Sequence, residues 1–248
     1  MSGCWAVWKR EVFSLFVTPT AWLLIVVFLV IQGFHFYGLV HHFSEATELS
    51  MDEGPVQAFF GGSVFFFIPL LLLCPAMTMR LFAEERRSGT IESLLTAPVG
   101  TAGVVFGKFA AALTVYVAMW APTGLYLAVL QRAGAIDWSV VGTSYLGVLL
   151  VGASYLAVGT LMSALTENQL TAVVLTSLVI VGLFLVGIGE LVFGPGPLQD
   201  VCAYVSAWGQ MAELSKGIVD TRRVVFDLSV VALSLFITVR AIDSWRWG

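Results

Sequence analysis

The densest run of charged side chains lies between residues 80 and 108, and it ends in a stretch that could be a phosphate-binding loop. Residues 103–108 read Gly-Val-Val-Phe-Gly-Lys. A phosphate loop needs an earlier glycine, the Gly-Lys pair and then a Ser or Thr that binds magnesium. Here Ala102 replaces the earlier glycine and Phe109 replaces the magnesium ligand. The sequence therefore predicts no nucleotide site in this chain.

Histidines and carboxylates are the other side chains that could do chemistry. His41 and His42 follow His35 closely, but adjacent residues point to different sides of a helix. No Cys or carboxylate stands at a ligand spacing among them, so a wet interfacial loop is favoured over a metal site. Isolated Glu190 and Glu213 are expected at a membrane boundary, not in catalysis. The cysteines are scattered, without a Cys-x-x-Cys pair: Cys4, Cys74 and Cys202.

The composition indicates a membrane protein. Of 248 residues, 58% are hydrophobic and 11% are charged, with a mean hydropathy of +0.92. Soluble domains carry about 25% charged residues, so most of this surface is expected to face lipid. A net charge of −4 gives no indication of nucleic-acid binding. We predict an all-α, polytopic membrane protein, formed by residues 1–248 as a single domain.

Six apolar stretches are long enough to be membrane spans, which need ~20 residues. The predicted spans are 21–37, 59–79, 104–130, 141–164, 170–193 and 224–239. Residues 5–16 precede them as an interfacial helix, because aromatic and apolar side chains alternate with charges at helical spacing. Small residues in the fourth span predict close helix packing. Residues 194–223 predict one or two short helices at the membrane boundary.

The loop at residues 80–103 is predicted to be folded. Residues 84–87 are good helix formers, Gly89 breaks the helix, and Thr90 can cap a new turn. A stripe of apolar residues follows at helical spacing, made of Ile91, Leu94 and Leu95. A short amphipathic helix at the membrane surface would result. The alternative is a loop whose charges only set the orientation of the chain.

Basic residues predict that orientation, since they concentrate in cytoplasmic loops. Six spans place both termini and the loop at 80–103 on one side. That side carries eight of the 12 basic residues: Lys9, Arg10, Arg80, Arg86, Arg87, Lys108, Arg240 and Arg246. We therefore predict a multi-pass protein of the bacterial inner membrane with both termini in the cytoplasm.

The stretch at 80–99 resembles the signature of type-2 (ABC-2) exporter permeases. It combines a helix of acidic and basic residues, Gly-Thr, a Leu-Leu pair, a small residue and a proline, and then Gly107-Lys108 opens the next span. The N-terminal helix, the six spans and the tight turn at 163–169 extend the resemblance over the whole chain. Residues 213–228 resemble the subgroup related to gliding-motility and copper-enzyme-maturation permeases.

This resemblance implies a transport subunit that is not itself an enzyme. Two permease subunits, alike or different, would pair in the lipid bilayer, and each would bind a separate ABC ATP-binding subunit that carries the ATP and Mg²⁺. No cofactor is expected on this chain. The loop at 80–103 would contain the coupling helix that docks on the ATPase. The residues predicted to dock or to shape that helix are Glu84, Glu85, Arg86, Arg87, Gly89, Thr90 and Glu92.

Leu94 and Leu95 would hold the coupling helix to the bundle.

Two other classes of function stay open. One is a membrane scaffold in a motility or envelope complex that keeps the permease fold and transports nothing. The other is an integral membrane enzyme, which the lack of an acid, base or metal cluster in the sequence disfavours. The sequence identifies neither a cargo nor the residues of a translocation path.

Overall fold

The structure is a computed structural model that describes residues 2–45, 54–61, 63–90, 99–133 and 136–245. Over these residues every regular element is a helix, which confirms the all-α prediction. In chain order the α-helices are α1 (Ser2–Val17), α2 (Pro19–Glu45), α3 (Pro55–Phe60), α4 (Val64–Thr78), α5 (Ala83–Ser88), α6 (Thr101–Trp120), α7 (Gly124–Ala133), α8 (Trp138–Leu165), α9 (Gln169–Val192), α10 (Pro197–Val205), α11 (Ala207–Leu214) and α12 (Thr221–Ser244).

Within this part of the chain, six helical segments are long and apolar enough to cross a membrane. They are Pro19–Glu45, Pro55–Ser88, Thr101–Arg132, Trp138–Leu165, Gln169–Val192 and Thr221–Ser244. The second comprises α3, α4 and α5, and the third is interrupted by a 3-10 turn, Ala121–Thr123, which contains Pro122. Proline removes a backbone hydrogen bond and bends the helix there. By contrast, Pro69 and Pro75 lie inside the continuous helix α4.

Short polar side chains fix where several helices begin. Asp137, Asn168 and Asp220 each accept a hydrogen bond from the amide two residues further on, at 2.9, 3.0 and 2.9 Å. Such caps satisfy amides that have no partner within the helix. At the start of α8, the hydrogen bond from the Ser139 amide lowers the pKa of the Asp137 carboxyl.

Helix α8 forms the centre of the bundle, and 72% of its most apolar stretch is buried. Its glycines let neighbouring side chains approach the backbone. Gly152 faces the ring of Tyr116 on α6, and Gly159 faces Thr78 at the end of α4. The Tyr116 hydroxyl donates to the Val148 carbonyl at 2.9 Å. Small residues thus give the close packing that association in lipid requires.

The first, fifth and sixth spans are peripheral. Only 28%, 22% and 28% of their most apolar stretches are buried within the chain. Their remaining surface is apolar, with Leu170, Leu178 and Leu185 of α9 each at least 60% exposed. Surface of this kind faces lipid or another membrane protein. Between the fifth and sixth spans lie the two short helices α10 and α11.

Candidate docking and coupling site

Helix α5 is held at its N-terminus by a side chain from the distant helix α8. The amides of Phe82 and Ala83 donate to the Ser163 hydroxyl oxygen at 3.1 and 3.2 Å. The same hydroxyl donates to the Met79 carbonyl at 3.1 Å. The first amides of a helix need such acceptors, and here no local side chain caps α5. Ser163 therefore fixes α5 to the centre of the bundle.

Helix α5 ends at Gly89, as the sequence predicts. Gly89 has a φ of 70°, in the left-handed region where a side chain is strained, and its amide donates to the Arg86 carbonyl at 3.2 Å. Beyond it, the Thr90 hydroxyl lies 2.8 Å from that of Ser88. Glu92 and the predicted apolar stripe of Ile91, Leu94 and Leu95 lie outside the described residues.

Two charged residues of α5 point inward. The Lys108 ammonium donates to Glu85 Oε1 at 2.9 Å, and Arg10 lies 3.7 Å from the same oxygen. Arg86 pairs with Glu167 in the turn between α8 and α9 at 2.6 Å. Its guanidinium also lies 4.4 Å from the ring centre of Trp245, just past α12, at a distance suited to a cation–π contact.

The other charged residues of α5 point outward. Glu84 and Arg87 are exposed, and so are Gly89 and Thr90. Among the residues that the structure describes, neither Glu84 nor Arg87 forms an ion pair. Residues three apart share one face of a helix, so these opposite charges stand side by side. The predicted docking set thus divides into an outer pair and an inner pair.

Lys108 is the residue whose role the sequence reasoning missed. Its side chain is 2% exposed, and its ammonium lies 3.3 Å from Glu11 Oε1 as well as near Glu85. Arg10 closes the ring by donating to Glu11 at 2.7 Å. The signal was available, because a lysine in an apolar helix must find carboxylate partners. Which carboxylates it finds depends on packing between distant helices.

The opposite end of the bundle holds a second buried cation. Arg223, with a side chain 9% exposed, lies 3.2 Å from Glu213, 3.4 Å from Glu190 and 3.9 Å from Asp220. It also donates to the Ser206 carbonyl at 3.3 Å. These contacts join α9, α11 and the start of α12. Glu190 and Glu213, which looked isolated in the sequence, share this arginine.

The histidines lie in different surroundings. His35 is buried on α2, where its ring stacks on Phe59 with centroids 5.1 Å apart. His41 lies 3.5 Å from Glu45. Over the described residues, no three His, Cys, Asp or Glu side chains are grouped so that they could hold a metal ion.

Six apolar helical segments, with a charged helix packed across one end, define a multi-pass membrane protein. Within that class, residues 42–208 match the family described as ABC-2 family transporter protein. Because the match covers more than half of the chain, the protein belongs to this family and is a permease component of an ABC transporter. The matched region includes α5 and Lys108 but not α1 or α12. No protein with a curated description matches the chain significantly.

Proposed function

We propose that this chain is the membrane-spanning subunit of an ATP-driven exporter and that α5 is its docking helix for a separate ATP-binding subunit. Family membership supports this proposal, since ABC-2 permeases normally work with such a subunit. The altered phosphate loop, with Ala102 and Phe109 at its key positions, also favours ATP and Mg²⁺ on the partner.

The observation that carries the proposal is the division of charges on α5. Glu85 and Arg86 hold the helix to the bundle, whereas Glu84 and Arg87 are exposed and form no ion pair within the described chain. A helix fixed on one face can pass a push on its other face to the spans behind it. The exposed charges of opposite sign on α5 can also orient a partner whose surface carries the complementary charges.

A second permease subunit is part of the proposal. The first and fifth spans leave most of their apolar stretches uncovered. In the dimer that we propose, the two subunits would meet through these spans, and the cargo path would lie between them. The docking end would face the cytoplasm of a bacterium with the chain in its inner membrane, in line with the excess of basic residues on that side.

Association with an ATPase tests the docking role. In the double variant Glu84→Lys plus Arg87→Glu, both exposed charges are reversed while the inner ion pairs are untouched. We expect association with the ATP-binding subunit to weaken at least ~10-fold, equivalent to about 1.4 kcal/mol. The measurement is co-purification of a Walker-motif ATPase from native membranes, followed by titration of the two purified components.

The matched control is Asp200→Lys plus Arg222→Glu, which reverses two exposed charges at the opposite end of the bundle. It should bind the ATPase as the unchanged chain does. Absence of any ATPase from the wild-type preparation, or normal binding by the α5 variant, would contradict the docking role. Inverted membrane vesicles then separate the two functions. An exporter should take up its cargo only when ATP is added, whereas a non-transporting scaffold of the gliding-motility type should show no ATP-dependent uptake.

A further inference from the structure

Lys108 closes a ring of four charges that lies between α1, α5 and α6. In the ring, Lys108 contacts Glu85 at 2.9 Å and Glu11 at 3.3 Å. Arg10 contacts Glu11 at 2.7 Å and Glu85 at 3.7 Å. Each positive group therefore touches both negative groups, and the four charges sum to zero. Phe82 covers the ammonium, with its ring centre 5.3 Å away.

Helices α1 and α6 are joined by packing that does not depend on the ring. Gly107 lies directly against Val7, so that an added methyl group would come within 2.9 Å of the Val7 side chain. Further along, the Trp8 indole donates to the Thr114 hydroxyl at 3.0 Å. These contacts hold the two helices against each other, and the ring joins the middle of α5 to this pair.

The neighbouring residue Arg86 joins α5 to the other half of the bundle, but more weakly. Its partner Glu167 is 74% exposed, whereas Lys108 is 2% exposed. Ion pairs in water are screened and add little, while a buried charge that loses its partner is strongly unfavourable. A displacement of α5 should thus be passed to α1 and α6 through the ring, and to α8 through Ser163.

We propose that Lys108 is a positioning residue for energy coupling, and that through it α1 and the third span move with the docking helix. This inference rests on the proposed function of α5. It assigns a mechanical role to the N-terminal helix, which lies outside the part of the chain that matches the family. It also gives the Gly107-Lys108 pair a structural role beside the docking helix, a role that needs no phosphate ligand.

Two variants separate positioning from folding. Lys108→Met removes the buried cation and leaves Arg10, which is more exposed, to neutralise both Glu11 and Glu85, so it should lower stability as well as coupling. Glu85→Gln plus Lys108→Met removes one charge of each sign and leaves the Arg10–Glu11 pair intact. The double variant should regain most of the stability while the link between α5 and α6 stays broken. The control is Lys9→Met, which removes an exposed charge of α1.

The first measurement uses the full chain alone in lipid nanodiscs. Hydrogen exchange of α5 should rise at least ~10-fold in the double variant, because the ring no longer protects that helix from local opening. Lys9→Met should exchange as wild type does. Unchanged exchange in α5 would overturn the inference, whatever the result with an ATPase.

The second measurement titrates the co-purified ATP-binding subunit with permease in nanodiscs and follows ATP hydrolysis. For the double variant we expect an unchanged half-saturating concentration and a maximal stimulation that falls about 5-fold, about 1 kcal/mol by the standard conversion. Full stimulation by this variant would overturn the inference.

The docking variant Glu84→Lys plus Arg87→Glu should instead raise the half-saturating concentration of permease. Lack of binding by the wild-type chain would refute the proposed function, and hydrogen exchange would then decide the role of Lys108 separately.

Discussion

The two basic residues buried in the described structure, Lys108 and Arg223, lie at opposite ends of the bundle and are paired differently. Lys108 shares a neutral ring with two carboxylates and a second cation. Arg223 is surrounded by three carboxylates, and no other cation of the described residues forms an ion pair with them. A buried cation is tolerated only with such partners. Each residue therefore ties together helices that are far apart in the sequence.

Arg223→Met tests this role at the end that carries α10 and α11. Removal of the guanidinium leaves Glu190, Glu213 and Asp220 facing one another, which should cost about 3 kcal/mol of stability. The measurement is thermal unfolding of the purified chain in detergent. Arg222→Met is the control, since Arg222 is exposed and forms no ion pair within the described residues. Equal unfolding of the two variants would show that the carboxylates do not need the arginine.

The sequence predicts the types of these residues but not their partners. Charges at 84–87 stand out because they interrupt an apolar chain, and Gly89 marks a helix end through its own backbone freedom. By contrast, Arg10 contacts Glu85 across more than seventy residues of sequence, and Glu11 contacts Lys108 across more than ninety. Only the packing of α1 against α6 brings them together. Consequently the docking charges were predicted as one set, and their division into inner and outer pairs was not.

At the scale of elements, α5 is a six-residue helix that could not be stable alone, because isolated helices of fewer than about 12 residues are marginal in water. Its structure depends on contacts with the bundle: Ser163 at the N-terminus, Lys108 in the middle and Glu167 near the C-terminus. A short helix fixed at several points moves as a unit with its surroundings. That property suits the docking role that we propose.

Ser163→Ala should loosen α5 without touching its charges. The variant leaves the Phe82 and Ala83 amides, which are fully buried, without their acceptor. An unsatisfied buried amide costs about 1–3 kcal/mol, so hydrogen exchange over residues 82–88 should accelerate at least ~5-fold. The measurement is exchange followed by mass spectrometry in nanodiscs.

Ser229→Ala is the control for this variant. Its hydroxyl is exposed on α12 and donates to the Val225 carbonyl of its own helix, at 2.6 Å. Exchange in α5 should match that of the unchanged chain. If Ser163→Ala also leaves α5 unaltered, the serine is a packing residue and the helix start is satisfied in another way.

Most helices of the fold could be predicted from the sequence, since apolar length, prolines and polar caps act locally. Six spans, the break at Pro122 and short helices at 194–223 all follow from such signals. The first helical segment extends to Glu45, well past the predicted end at residue 37. The polar residues Gln32 and His35 do not end the helix, because their side chains are buried inside the bundle. Polar residues alone are therefore a poor sign of a span end.

At the scale of the whole molecule, contacts place both ends of the described chain beside α5. Arg10 of α1 lies 3.7 Å from Glu85, and Trp245 lies under the Arg86 guanidinium. An even number of spans requires this arrangement, and the charged groups of both ends gather there. The side of the membrane on which they gather determines whether α5 is accessible to a cytoplasmic ATP-binding subunit.

Cysteine labelling in a bacterial host tests that orientation. In a Cys4→Ser background, Lys9→Cys and Ser88→Cys report the α5 end, and Lys216→Cys reports the opposite end; all three positions are exposed. If the basic side is cytoplasmic, a membrane-impermeant maleimide should label Lys216→Cys in intact spheroplasts. Lys9→Cys and Ser88→Cys should react only after permeabilisation. The native Cys74 and Cys202 are buried and should stay unlabelled until the protein is denatured. Labelling of Ser88→Cys in intact spheroplasts would place α5 outside the cell, where no ATP-binding subunit could reach it.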